Sequence, residues 1–335
     1  MAGLESPSVL AAGRFDLAFV IVVLLPLLLI AATYDLWSRD VENGSARFQL
    51  AQPVSPVRLI VTRAAIRGGT LLIAAPLIVC IALAMVGAHD LSGLAAFAAV
   101  VLAYGLFWIA LAMLLNLFVR ASTTAALAAG TAWLTVVVLL PGMIAATADL
   151  MAPRPSALSY TNAVRSAGLE VRAAHAAAAL AAANAEPRNN YPASLWHSRG
   201  EIQARDARLE PIHVAQAEQA AVHRSFAEKL RFLSPAIVAQ DALDRLAGTD
   251  ATRAIAFQHQ ARGFAAQTRQ LAFECMDSGR LMTLAYYNRP LLTFVFAEPS
   301  RVCPLVADLA ALMLFTALLL LISARRFRGG PAKLL

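Results

Sequence analysis

The stretch "FDLAFVIVVLLPLLLIAATYDLWSRDVENG" (Phe15–Gly44) decides how this chain is read. From Leu17 to Thr33 it carries no charge, and then Asp35, Arg39, Asp40 and Glu42 follow at once. An apolar run of this length that ends in charge, rather than at a small-residue cleavage point, reads as a membrane span and not as a signal peptide. The residues around it agree. The 335-residue chain is 59% hydrophobic and 15% charged, with mean hydropathy +0.63. Soluble domains hold about 45–50% apolar and about 25% charged residues.

Five windows are long and apolar enough to cross about 30 Å of hydrocarbon. They are Phe15–Tyr34, Gly68–Gly87, Leu94–Val119, Thr123–Ala148 and Leu305–Ser323. The first four form a region over 15–148, preceded by a short segment 1–14. The last span, 305–323, is followed by the basic tail 324–335. The chain is therefore expected to be an all-α integral membrane protein with about five spans. A large helical extracytoplasmic domain, 149–304, lies between the last two.

The net charge of +7 is almost all arginine, since Lys229 and Lys333 are the only lysines. In a chain with apolar blocks, such a balance marks the cytoplasmic rim rather than nucleic acid binding. Arg39, Arg47 and Arg58 lie between spans one and two, Arg120 between spans three and four, and Arg325, Arg326 and Arg328 in the tail. The turn "AHDLSG" after span two has no Lys or Arg. The expected location is the bacterial inner membrane, multi-pass, with the N-terminus outside and the C-terminus cytoplasmic.

The 149–304 block reads as helical. "NAVRSAGLEVRAAHAAAALAAANAE" is alanine-rich, and the helical pattern of 201–233 is expected to break or kink at Pro211. In "SPAIVAQDALDRLAG", Ser234 is the N-cap, Pro235 the first helical residue and Gly248 the stop. A last helix over 249–279 carries Ile255, Phe257, Phe264, Leu271 and Phe273 as buried positions.

Side chains with catalytic chemistry are scarce. His213, three residues after Glu210, lacks the further ligands that a metal needs, so no metal or cofactor is expected. His89-Asp90 reads as a polar turn. Asp16 and Asp308 lie near span ends and read as rim residues, cheap at headgroup level. Cys80, Cys275 and Cys303 form no metal spacing; Cys275 and Cys303 could pair outside, with two free thiols as the alternative. The sequence has no G-x-x-x-x-G-K-[ST] and no HExxH or G-x-S-x-G, so it is not expected to be an enzyme. Charges at mid-depth of the spans are missing as well, which disfavours a self-powered carrier.

That leaves the polar elbow, 36–57. On its residues alone it reads as a short amphipathic helix on the cytoplasmic surface. Trp37 and Phe48 act as interfacial anchors, Arg39, Asp40 and Glu42 face water or a partner, Gly44 relaxes the backbone and Pro53 stops the element. A structured loop with solvated charge is the alternative. The order Asp40, Glu42, Gly44, Leu50, Pro53, Val54, Ser55 resembles the E-x-E-x-G-T…L-x-x-P-V-S element of ABC-2 type transporter permeases. Ser45 stands where that family favours Thr, and Asp40 where it favours Glu. Phe15–Gly44, Leu233–Gln260 and Leu291–Ser300 resemble segments of the DUF3526 subgroup, in which an outer region lies between the last two spans. Such permeases usually have a further span ahead of the one that begins here.

The resemblance implies a coupling helix that docks on a separate ABC ATPase subunit, with a second permease chain, identical or paralogous, beside it in the lipid. The chain would then couple ATP hydrolysis by its partner to export or extracytoplasmic work. The alternative is a non-transporting membrane scaffold or signalling protein whose outer helices bind a periplasmic partner.

Overall fold

A computed structural model of the chain describes residues 17–52, 55–87, 90–183, 185–281, 283 and 293–328. Pro53, Asp16, His89 and Lys333 lie outside the described residues. The described residues contain helices and no strand; Arg188 and Tyr191 form one isolated bridge. Five helices are long and apolar enough to cross a membrane.

Span one, α1, occupies 17–33 as Leu17–Phe19, a π-helical turn Val20–Leu24, and Leu25–Thr33. Two short helices follow, α2 (Ser38–Glu42) and α3 (Ser45–Leu50). Span two, α4, runs Pro56–Met85 and span three, α5, Leu91–Asn116. Span four, α6, joins Ser122–Trp133, a π-helical Leu134–Leu139 and Leu140–Met151. Next come α7 (Ala157–Ala183), α8 (Ala193–Leu230), α9 (Pro235–Ala247) and α10 (Ala251–Ser278). Span five, α11, is Val302–Arg328.

All five expected spans are present. Span two starts well before its apolar window, because Ser55 is extended, Pro56 opens the helix and the arginines that follow are good helix formers. Arg58, Arg63 and Arg67 thus stand on a helix rather than in a loop.

The chain divides into two compact units. The membrane unit takes the chain through Ala145, adds Lys229–Asp250 and resumes at Ser300. Its centre is α5, whose Val100, Val101, Tyr104 and Trp108 are almost fully buried. Glycine lets the spans meet there: a Cβ on Gly105 would collide with the Leu72 side chain and press on Leu29. Spans two, four and five keep apolar faces open, with Ile73, Ile78, Leu127, Leu314 and Leu321 exposed, as lipid contact requires.

Both π-helical turns precede a proline, Pro26 or Pro141. Proline brings no N–H, so a carbonyl upstream loses its donor. Around Pro26, the Tyr104 hydroxyl donates to the Val22 carbonyl at 2.9 Å and Trp133 Nε1 to the Val23 carbonyl at 3.1 Å. In span four, the Leu140 N–H takes the Thr135 carbonyl. The next carbonyl in that register, Val136, would fall to Pro141; it accepts the Ser234 hydroxyl at 3.3 Å instead. Neighbouring helices thus supply the donors that lipid cannot.

The second unit comprises Ala146–Glu228 and Ala251–Pro299. Its helices α7, α8 and α10 run antiparallel in succession. Glu170 pairs with Arg208, Glu201 faces Arg172, and Asp206 and Asp277 of the next pair bond Arg269 and Arg199. The Arg199 hydrogen bond holds the Asp277 carboxyl below its ordinary range. α8 is unbroken over 38 residues, with Pro211 inside it, where a break or kink was expected. Asn189 and Asn190, both at positive φ, donate to the Met276, Asp277 and Gly279 carbonyls and so cap the end of α10. Of the five positions expected to be buried on α10, Phe257 is half exposed and the others only partly covered. Phe257 and Phe264 receive Phe294 of the returning chain.

The 149–304 block read as continuous in sequence is therefore interrupted: Lys229–Asp250 belongs to the membrane unit. The reason is the face of α9. Val238, Ala239 and Ala242 are wholly buried, in a cluster that includes residues of spans one and three. Ser234, Pro235 and Gly248 take the capping roles expected of them, with Gly248 at φ 71°.

Candidate functional site

The elbow is two helices, not one. Gly44, at φ 75°, is the left-handed turn that separates α2 from α3. A Cβ there would meet nothing within 4 Å, so only the backbone conformation asks for glycine.

Three of the elbow's four charged side chains, Arg39, Asp40 and Glu42, can be traced to partners. Asp40 pairs with Arg63 of span two and accepts the Ser45 hydroxyl at 3.0 Å. Arg63 Nη1 also donates to the Leu36 carbonyl at 2.9 Å. One turn further along α4, Arg67 donates to Asp35 at 2.8 Å, and Arg39 approaches the same carboxylate at 3.5 Å. Glu42 caps the start of span four, where one oxygen accepts the Ser122 N–H at 2.9 Å and its hydroxyl at 2.5 Å. The carboxylates expected to face water or a partner thus spend their bonds inside the chain.

Trp37, expected at the membrane interface, is 1% exposed. The reason is Asn116 at the end of span three. Its Oδ1 accepts the Trp37 N–H at 3.1 Å, the Ser38 N–H at 3.3 Å and the Ser38 hydroxyl at 3.2 Å. Its amide donates to the Thr33 carbonyl at 3.2 Å and the Ala112 carbonyl at 2.9 Å. One buried side chain thus satisfies the backbone where span one turns into the elbow.

Turned outward are Arg39, Asn43, Arg47 and Phe48, with Phe48 at 79% exposure. An exposed aromatic ring next to Arg47 in the chain has the chemistry of an interface anchor. The elbow is a fixed platform on spans two, three and four that presents a small basic and aromatic face.

Sequence reasoning missed Asp35, Arg63, Arg67, Asn116 and Ser122. A signal existed for two of them: Arg63 and Arg67 are four residues apart on one helix face, and Asp35 and Asp40 five apart. Asp308, read as a rim residue, is fully buried between Arg231 and Arg245. Cys275 and Cys303 are free thiols rather than a disulfide. Cys275 is buried on α10, while Cys303 is exposed in the first turn of α11.

His213 Nδ1 is bonded to the Tyr160 hydroxyl at 2.8 Å. It lies on a groove of about 550 Å³ between α8 and α10 with Glu210, His259 and Arg262. Among the described residues no group of three or more His, Cys, Asp or Glu could hold a metal ion.

The described residues are all-helical, with five helices long and apolar enough to cross a membrane and a second compact helical unit. Residues 162–290 match the family model described as "Domain of unknown function (DUF3526)", a stretch that runs from within α7 past the end of α10. No curated protein matches the chain, and no solved structure does.

Proposed function

We propose that the chain is the membrane-spanning permease subunit of an ABC-2 type complex, driven by ATP hydrolysis on a separate subunit at its cytoplasmic face. The observation that carries this reading is the anchorage of the elbow. A push on α2 and α3 passes to span two through Asp40–Arg63, to span three through Asn116 and to span four through Glu42–Ser122. A surface loop of solvated charge would pass on little. The arginine asymmetry of the short loops supports a cytoplasmic position for this face. The DUF3526 match and the residue order Asp40-x-Glu42-x-Gly44 support the same class.

Docking falls to the residues left free to do it. Phe48 and Arg47 form the contact, whereas Asp40 and Glu42 hold the platform in shape. The test is to purify the full chain, expressed with its neighbouring genes, in mild detergent and identify the bound subunits. An ATPase should co-purify with the wild type and be lost from Phe48→Glu, with thermal unfolding of the permease unchanged. If no nucleotide-hydrolysing subunit appears, or if the Arg47→Glu/Phe48→Glu double variant retains it, the reading fails.

A further inference from the structure

The segment 229–250 has a feature that coupling at the elbow does not use. Four charged side chains form an alternating ladder: Asp241, Arg231, Asp308, Arg245. Arg231 Nη1 bonds Asp241 at 3.1 Å and its Nη2 lies 2.8 Å from Asp308, while Arg245 pairs with the other Asp308 oxygen. The ladder sums to zero charge. Asp308, on span five, is fully buried, and the Arg231 and Arg245 side chains are 10% and 15% exposed. Ions in such surroundings are held by one another or not at all.

The near end of α9 carries a second fastening. The Ser234 hydroxyl accepts the Ile237 N–H at 3.4 Å as a helix cap and donates to Val136, the carbonyl that Pro141 leaves unclaimed. The far end is tied to the start of span five by Arg301, which reaches the Leu246 carbonyl at 3.5 Å. Along the chain, α9 is bounded on both sides by the second unit, which ends at Glu228 and resumes at Ala251.

We infer that α9 is a latch: a short helix fastened to span five by the ladder and to the π-helical turn of span four by Ser234, which opens as one piece when those bonds are broken. Its buried face is made of Pro235, Ala236, Val238, Ala239, Ala242 and Leu243, mostly small side chains, so each adds little apolar area and the polar fastenings carry much of the hold. Two of the four points where the chain passes between the units, 228/229 and 250/251, flank this segment. The inference does not depend on an ATPase partner.

Hydrogen–deuterium exchange on the full chain in lipid nanodiscs tests it. Asp308→Asn leaves two buried guanidinium groups without a carboxylate between them. It should raise exchange of the amides of 235–247 together, by about tenfold or more, while 100–113 of span three stay unchanged. Ser234→Ala should raise exchange only at 134–139 and at the first turn of α9, by about threefold. Should Asp308→Asn fail to accumulate, Asp241→Asn at the open end of the ladder should raise the same 235–247 amides by about threefold. Uptake that does not change in the variant measured, or that rises equally in span three, overturns the latch.

Discussion

The two polar centres of the membrane unit use the same chemistry in opposite surroundings. At the elbow, Asp40 and Arg63 are about a fifth and a third exposed, and Asp40 also has Ser45 to bond. At α9, Asp308 is fully buried, and among the described residues Arg231 and Arg245 balance its charge. A carboxylate–guanidinium pair near water costs little to form and little to lose, because solvent replaces the missing partner. The buried arrangement gains little over an apolar one, yet removing one member strands the others. The elbow can therefore be retuned residue by residue, whereas the α9 ladder stands or falls as a set.

That contrast can be broken at its strongest point first. Asp308→Asn should cost about 3–5 kcal/mol, measured as a fall in thermal unfolding temperature in detergent. Replacing Arg231, Asp241, Arg245 and Asp308 together by Met, Asn, Met and Leu should recover most of that loss, since no unpaired charge remains. If the quadruple variant is as unstable as the single one, the ladder is not a set. Asn116→Leu comes next, at about 1–3 kcal/mol, because the Trp37 and Ser38 amides lose their acceptor in a buried place. Asp40→Asn should fall below about 1 kcal/mol, discounted for its exposure. Glu42→Gln should be smallest: the amide oxygen still accepts from Ser122, so unfolding should be indistinguishable from wild type.

The spans were legible because lipid imposes one crude demand, a long uncharged run, and Leu17–Thr33 meets it without reference to any other residue. The caps of α9 were legible for a similar reason: Ser234, Pro235 and Gly248 act on the backbone beside them. Its environment was not. Arg231, Asp241, Asp244 and Arg245 look like a solvated face until Asp308, 63 positions after Arg245, is seen to neutralise two of them. The elbow divides the same way. Gly44 as a turn and the acidic pair as special residues could be read locally. The partners Arg63, Asn116 and Ser122 lie 23, 79 and 80 positions away from the residues they hold, and no local pattern reports them.

The distance between Arg245 and Asp308 also sets an order of assembly. A ribosome making about 5–20 residues per second exposes Arg231 and Arg245 several seconds before it supplies their carboxylate on span five. Until then Arg231 and Arg245 lack Asp308, the buried carboxylate that both of them share. The insertion of α9 among the spans must wait, and the second unit's helices, made on either side of it, are complete before it arrives. The last span is thus the step that closes the membrane unit, and a chain stalled before Asp308 should leave 229–250 open to protease.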